Sequence, residues 1–208
     1  MAADRSTGSG GRRFDSGRLC LDLMATGEPS SPDRLSGPEA LTAWLVAAGL
    51  VPAGTPLPAV DAHWVARFGE LRRWTGQLVR AQLDGRGGYA DCALARLNTL
   101  AAAAPPAPRA VRATAGEGND LVRALGSTPD CGALLAAVAR DAIDLLTDPA
   151  ARARLRQCEG DDCARVYLDT SRGRRRRWCS SELCGNRERV ARHRARIRKD
   201  LSKKSPAL

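Results

Sequence analysis

The chain has 208 residues and a formal net charge of +10, which is distributed very unevenly. Residues 1–151 contain 15 basic and 16 acidic side chains, whereas residues 152–208 contain 18 and 7, a net charge of +11 in the last quarter. Such clustering is typical of a segment that binds a polyanion. The N-terminus lacks the apolar stretch of a signal peptide, and no run approaches the roughly 18 apolar residues of a membrane span. We therefore expect no membrane partner and a cytoplasmic, nucleoid-associated protein.

Residues 14–151 predict an α+β domain that is mostly helical and has a few short strands. The preceding residues 1–13 are rich in Gly, Ser and Arg and lack periodicity, so we expect a disordered tail. In the segment 17–26, leucines alternate with other residue types, which is typical of a strand. Apolar spacing predicts helices over 38–49, 60–85, 89–103 and 131–146, and short extended pieces are expected over 109–115 and 120–125.

Asp22 is the one polar residue of this domain that we single out as a candidate ligand-binding residue. A carboxylate on the predicted first strand has two roles open to it: an ion pair with an arginine, or one wall of a pocket for a small effector. The separate cysteines Cys20, Cys92 and Cys131 are expected to be small buried apolar residues, because free cysteine is among the most buried residue types. A reactive thiol is the alternative.

Four further cysteines form two pairs, with four residues between the members of each pair and fifteen between the pairs: Cys158, Cys163, Cys179 and Cys184. Zinc prefers a tetrahedron of such thiolates with Zn–S distances of about 2.3 Å, and four of them leave no position for water. In a reducing compartment this spacing predicts one structural zinc ion. Four free cysteines or two disulfides are the alternatives.

The residues around these cysteines predict a small treble-clef-like zinc finger over 152–200, made of a knuckle, a β-hairpin and a basic helix. A short helix is expected over 147–157. The hairpin would join a strand at 164–170 to a return strand at 175–179 through a turn at Gly173, and a disordered tail is expected over 201–208.

Basic side chains on this finger are the candidate nucleic-acid contacts. On the hairpin they are Arg174, Arg175, Arg176 and Arg177, of which at most two would face one groove, because alternate strand residues point to opposite sides. On the helix they are Asn186, Arg187, Arg189, Arg192 and Arg196. The arginines could contact phosphates or base edges, and the asparagine could read adenine or cap the helix. A merely soluble basic tail is the alternative, and Trp178 is expected in the core of the finger.

The C-terminal segment resembles the CGNR zinc finger family, named for the tetrapeptide that stands here as Cys184-Gly185-Asn186-Arg187. The resemblance covers both cysteine pairs, the Asp169-Thr170-Ser171 turn, the arginine-rich return and Trp178-Cys179. It implies zinc on the four cysteines and a DNA-binding role. The segments 17–29, 37–50 and 137–158 resemble the ABATE domain, a stress-related regulatory domain that usually precedes such fingers.

The sequence therefore predicts a bacterial transcription regulator whose partner is DNA. Its N-terminal domain would sense a small effector, and a homodimer would add specificity to a single finger. A finger that binds RNA or an acidic protein is the alternative, because basic helices serve all three partners. We expect no enzyme, since the two histidines, His63 and His193, lie far apart and the chain has no nucleophile elbow, P-loop or dinucleotide fingerprint.

Overall fold

A computed structural model describes residues 14–28, 32–85, 91–113 and 120–204, with side chains as far as residue 198. The predicted tail 1–13 and the last residues, 205–208, lie outside the described chain. The elements in chain order are α1 (Leu19–Met24) followed by a 3-10 turn (Ala25–Gly27), α2 (Pro38–Ala47), α3 (Ala62–Leu83), α4 (Asp91–Ala101), β1 (Pro108–Arg112), β2 (Leu121–Leu125), α5 (Cys131–Thr147), α6 (Pro149–Arg152), β3 (Leu155–Gln157), β4 (Val166–Leu168) and α7 (Cys184–Lys204). The architecture is the predicted one, a mostly helical α+β domain followed by a small cysteine-containing module.

The core of the helical domain is built around the short helix α1. This helix contacts both α3 and α5, which also pack against each other and against α4. Leu21 and Leu23 are completely buried. A chain of aromatic rings closes the core beside α2, since Trp44 lies 6.3 Å from Phe14 and 6.1 Å from Phe68 between ring centroids.

The strand predicted over 17–26 is wrong, because α1 is a helix. An alternation of leucines with other residues indicates a strand only when the other residues face solvent. Here the four consecutive residues Cys20 to Leu23 are all buried, so the alternation does not separate a buried face from an exposed one. The start of the helix is satisfied by a partner distant in sequence: the Cys20 amide donates to the Asp141 carboxylate over 2.8 Å. Six residues give too little periodicity to reveal this.

The other elements of the helical domain follow the prediction. The four long helices lie where apolar spacing placed them, and the two extended pieces pair as an antiparallel hairpin in which Val111 is opposite Val122. Cys20 is buried as expected, but Cys92 is exposed, so that expectation fails for Cys92. None of the described helices is long and apolar enough to cross a membrane.

The C-terminal module contains the predicted knuckle, hairpin and helix, but its hairpin pairs different strands. The helix expected over 147–157 ends at Arg152, and the chain then forms β3, which pairs antiparallel with β4. The return segment 175–179 is not a strand. The physical reason is burial: β3 and β4 place Leu155 and Leu168 in the core of the helical domain, where arginine-rich residues could not lie.

The basic helix α7 is longer than predicted. It begins at Cys184 and continues to Lys204, so residues 201–204 are helical instead of part of a disordered tail. Seen together, the elements place the cysteines at the outer end of the β3–β4 hairpin and let α7 extend from them.

Candidate metal centre and nucleic-acid interface

Four cysteine side chains meet at one point of the C-terminal module. Cys158 follows β3 and Cys163 lies before β4, so the knuckle between them forms the turn of the hairpin. Cys179 ends the arginine-rich segment, and Cys184 is the first residue of α7. The four sulfur atoms all lie within 4.8 Å of one another. Spacing in the sequence correctly predicted which cysteines come together.

The distances between these sulfur atoms fit a tetrahedral zinc site. The Sγ atom of Cys179 lies 3.7 Å from that of Cys163 and 3.6 Å from that of Cys184. Four ligands at about 2.3 Å from a central zinc ion are about 3.8 Å apart. Three of the four side chains are buried. The cysteines can therefore bind one zinc ion, and with four thiolates around it the site is structural.

Backbone amides support negative charge on the sulfur of Cys158. The amide of Cys179 donates to this Sγ atom over 3.3 Å. Burial alone would raise the pKa of the Cys158 thiol, but hydrogen bonds from the amides of Cys179 and Gly160 lower that pKa below its ordinary value. Because a thiol loses its proton when it binds zinc, these amides favour the metal-bound form.

Arg176 holds the arginine-rich segment against the metal centre. Its guanidinium lies 4.7 Å from the ring centre of the buried Tyr167 and donates to the carbonyls of Trp178 and Cys179. The Tyr167 hydroxyl in turn donates to the Arg176 carbonyl over 2.6 Å. The amide of Arg176 donates to the buried Asp169 over 3.1 Å. Arg176 therefore stabilises the module itself, and the phosphate contact predicted for this partly exposed residue stays a prediction.

Two protein families match the chain. Residues 17–149 match ABATE, whose description is "Putative stress-induced transcription regulator", and this segment is more than half of the chain. The chain belongs to the ABATE family. Residues 154–197 match the CGNR zinc finger, so the module described above is a CGNR finger and both resemblances seen in the sequence are confirmed. No curated protein is similar enough to match the chain.

The other predicted arginines of the return segment lie on the surface of the CGNR finger. Arg174 and Arg175 are exposed. Arg177 pairs with Glu159 over 2.6 Å, but both side chains are more than half exposed, and such a pair contributes only about 0–1 kcal/mol. These three arginines remain candidates for phosphate contact. The turn differs in detail from the prediction, because the left-handed residue is Arg174, with φ of 50°, and not Gly173.

Helix α7 begins at the metal centre and presents its basic residues to solvent. The predicted contact residues on it are all exposed: Asn186, Arg187, Arg189, Arg192 and Arg196. Two of them also touch the finger. The Arg192 guanidinium lies 5.7 Å from the Trp178 ring centre, and Arg189 donates to the carbonyls of Ser181 and Gly185. The first turns of α7 thus have a finger-facing side and an outward side.

A buried arginine fixes the CGNR finger to the ABATE domain. Arg165, next to β4, is only 3 % exposed and pairs with Asp15 over 2.8 Å and with Glu28 over 2.6 Å. Removing one partner of a buried ion pair typically costs about 3–5 kcal/mol. No sequence feature points to this residue, since nothing near it distinguishes Arg165 from the many exposed arginines.

The short segment 14–17 of the ABATE domain lies against the same part of the finger. The Leu168 amide donates to the Ser16 carbonyl over 2.9 Å. Gly17 has a φ of +86°, and a Cβ atom there would lie 3.2 Å from the Cβ of Leu168. Glycine is therefore required both by the backbone conformation and by the close approach of the two chains.

Asp22 lies on the wall of a cavity of about 810 Å³. Its side chain is only 4 % exposed, and its carboxylate accepts a hydrogen bond from the Ser16 amide over 3.1 Å. Burial raises the pKa of Asp22 to about 7. The neighbouring Arg18, which also lines the cavity, pairs with Asp141 over 2.9 Å. Asp22 therefore lines this cavity, and its role in binding a ligand stays a prediction.

Proposed function

We propose that this ABATE family member is a transcription regulator that binds DNA through its CGNR finger. The observation that carries the proposal is helix α7, whose start is fixed at the zinc site and whose exposed surface is dominated by arginine. Residues 152–208 keep a net charge of +9 when the four thiolates and one zinc ion are counted. A concentrated positive charge of this size attracts the phosphate backbone of a nucleic acid.

Selection of the zinc-loaded full-length protein on random duplex DNA tests this function. We expect an enriched sequence motif that is lost when a chelator removes zinc, because α7 is then no longer held on the finger. Binding should weaken with salt, by about 0.9 in log K per log unit of salt for each phosphate contact. Arg194→Gln should lower this slope by about one contact, whereas the exposed Arg96→Gln on α4 should leave it unchanged.

An RNA or an acidic protein is the alternative partner of the finger. Retention that follows ionic strength alone, with no enriched motif and with equal affinity for RNA, would contradict the DNA proposal and favour this alternative. Positive charge on α7 attracts any polyanion and distinguishes poorly between DNA, RNA and an acidic protein. An enriched DNA sequence motif is therefore the result that decides between the two proposals.

We further infer that the chain regulates without catalysing a reaction. The proposal is supported by the metal centre, where four thiolates leave zinc no open position at which water or a substrate could bind. Hydrolytic activity that depends on zinc would contradict it.

The cavity at Asp22 supports a role for the ABATE domain in sensing a small effector. Phe14 and Gly17 line this cavity, while Asp15 and Ser16 between them contact the finger through Arg165 and Leu168. A ligand that moves segment 14–17 would therefore act on both sites. Thermal denaturation of wild-type protein against a panel of small amines and organic acids tests the site. A hit should raise the melting temperature of wild type but not of Asp22→Asn, and it should change DNA affinity.

A further inference from the structure

The outward side of α7 carries large apolar side chains that are exposed to solvent. Val190 is 41 % exposed and Ile197 is 46 % exposed. At 100° per residue these two side chains lie within about 20° of each other around the helix, and Asn186 lies on the same side. The opposite side is the one that packs on the finger, through Cys184 and through Arg192 above Trp178. We call Asn186, Val190 and Ile197 the outward seam.

Arginines border the outward seam on both sides. Arg187, Arg194 and Arg198 lie along one edge, and Arg189 and Arg196 lie along the other, as expected from their spacing in the helix. A strip that carries two apolar side chains, together with Asn186 and His193, between two basic rows has the arrangement needed to enter a groove of duplex DNA. The strip then faces the base edges while the rows approach the phosphates of the two strands.

The charges of α7 select DNA over a second copy of this chain as the partner of the seam. Two helices packed seam to seam would bring their arginine rows side by side, and between residues 186 and 198 Glu188 is the sole acidic side chain. Like charges at that separation repel. A duplex instead supplies phosphates to both rows and, in the major groove, the C5-methyl group of thymine as an apolar surface for valine or isoleucine.

We propose that the outward seam reads DNA sequence, with Val190 and Ile197 contacting thymine methyl groups and Asn186 contacting an adjacent base edge. This inference rests on the proposed DNA-binding function. From Asn186 to Ile197 the seam rises about 16 Å, which corresponds to about five base-pair steps. The recognised site therefore contains T·A pairs within about five base pairs, and Arg189 and Arg192, which also contact the finger, position the helix without reading bases.

Replacement of thymidine by deoxyuridine tests the methyl contacts, because it removes the methyl group and keeps every hydrogen-bonding group of the base. Zinc-loaded full-length protein is selected on two pools of random duplex DNA, one with thymidine and one with deoxyuridine. We expect thymine-containing motifs from the first pool. Their affinity should fall about fourfold for each contacted methyl group in the deoxyuridine form. Val190→Ala and Ile197→Ala should each abolish the affinity difference between thymidine and deoxyuridine at one base pair of the motif. Alanine favours the helical conformation, so both variants should keep α7 intact.

Three results would overturn the inference. Binding with an enriched motif but no difference between thymidine and deoxyuridine would leave the DNA-binding function standing and remove the seam from base reading. A Val190→Ala or Ile197→Ala protein that changes from dimer to monomer in sedimentation, with its base preference intact, would assign the seam to a second copy. The absence of any motif would contradict the proposed function itself. Leu94→Ala, at an exposed apolar position on α4, is the matched control and should change neither measurement.

Discussion

The β3–β4 hairpin should be essential for the folding of the ABATE domain, although it belongs to the CGNR finger in sequence. A fragment of residues 1–152 lacks this hairpin, whereas a fragment of residues 1–170 retains it and lacks the rest of the finger, which comprises the arginine-rich segment, Cys179, Cys184 and α7. The two fragments therefore separate the contribution of the hairpin from that of the zinc site.

The expected difference in stability follows from three buried side chains. Leu155, Val166 and Leu168 are 2 %, 4 % and 7 % exposed and belong to the core of the helical domain. Burying a Val or Leu side chain contributes about 1.5–3 kcal/mol, so their loss costs at least about 5 kcal/mol. That is comparable with the entire stability of an ordinary domain, about 5–15 kcal/mol. With an m value of about 2 kcal/mol per molar, the urea midpoint should fall by about 2.5 M.

Urea unfolding followed by circular dichroism at 222 nm measures this difference. We expect the 1–170 fragment to unfold cooperatively and the 1–152 fragment to be largely unfolded without denaturant. Equal midpoints for the two fragments would refute the reasoning, because the helical core would then be complete without the hairpin. The full chain with its zinc is the reference for both.

Three other perturbations have defined outcomes. Zinc removal should leave the amides of residues 164–169 protected from hydrogen exchange, since these strands are held by the ABATE core, and should expose residues 170–198; equally fast exchange in both segments would contradict this. Gly17→Ala should destabilise the protein by about 1–3 kcal/mol, measured by urea unfolding, because of its positive φ and its contact with Leu168. Burial raises the pKa of Asp22 to about 7, above its unfolded value of about 3.9, so the stability that the neutral carboxyl provides is fully present below about pH 4 and is lost as the pH rises to about 7. Asp22→Asn should lack this loss between about pH 4 and 7, and an identical pH profile for both proteins would show that Asp22 does not titrate there.

The metal centre could be predicted from the sequence because its chemistry depends on residue type and spacing alone. Four cysteines at Cys-x4-Cys spacing have few other uses in a reducing compartment, and the structure brings them together as expected. The long helices could also be predicted from the sequence, because each repeats its apolar residues over three or more turns. In both cases the signal is local, or repeats often enough to be recognised.

The elements that the sequence did not reveal depend on partners distant along the chain. Helix α1 is stabilised by Asp141, about 120 residues away, and it is buried on every side, so its leucines carry no helical pattern. Strand β4 pairs with β3 instead of the return segment because Leu155 of β3 and Val166 and Leu168 of β4 complete the core of the helical domain. Arg165 looks like any other arginine until Asp15 and Glu28 are placed beside it.

These long-range contacts explain physically why an ABATE domain and a CGNR finger are found in one chain. The ABATE match ends at residue 149, and the CGNR match begins at residue 154. Helix α6 and strand β3 follow each other within a few residues at this boundary, so no linker separates the two folded parts. The finger contributes β3 and β4 to the ABATE core, and the ABATE domain contributes Asp15 and Glu28 to the buried Arg165. Neither part can move without breaking these contacts. Under the proposed effector-sensing role, a change in the cavity beside segment 14–17 would therefore reach the base of the finger through packed atoms and not through a flexible tether.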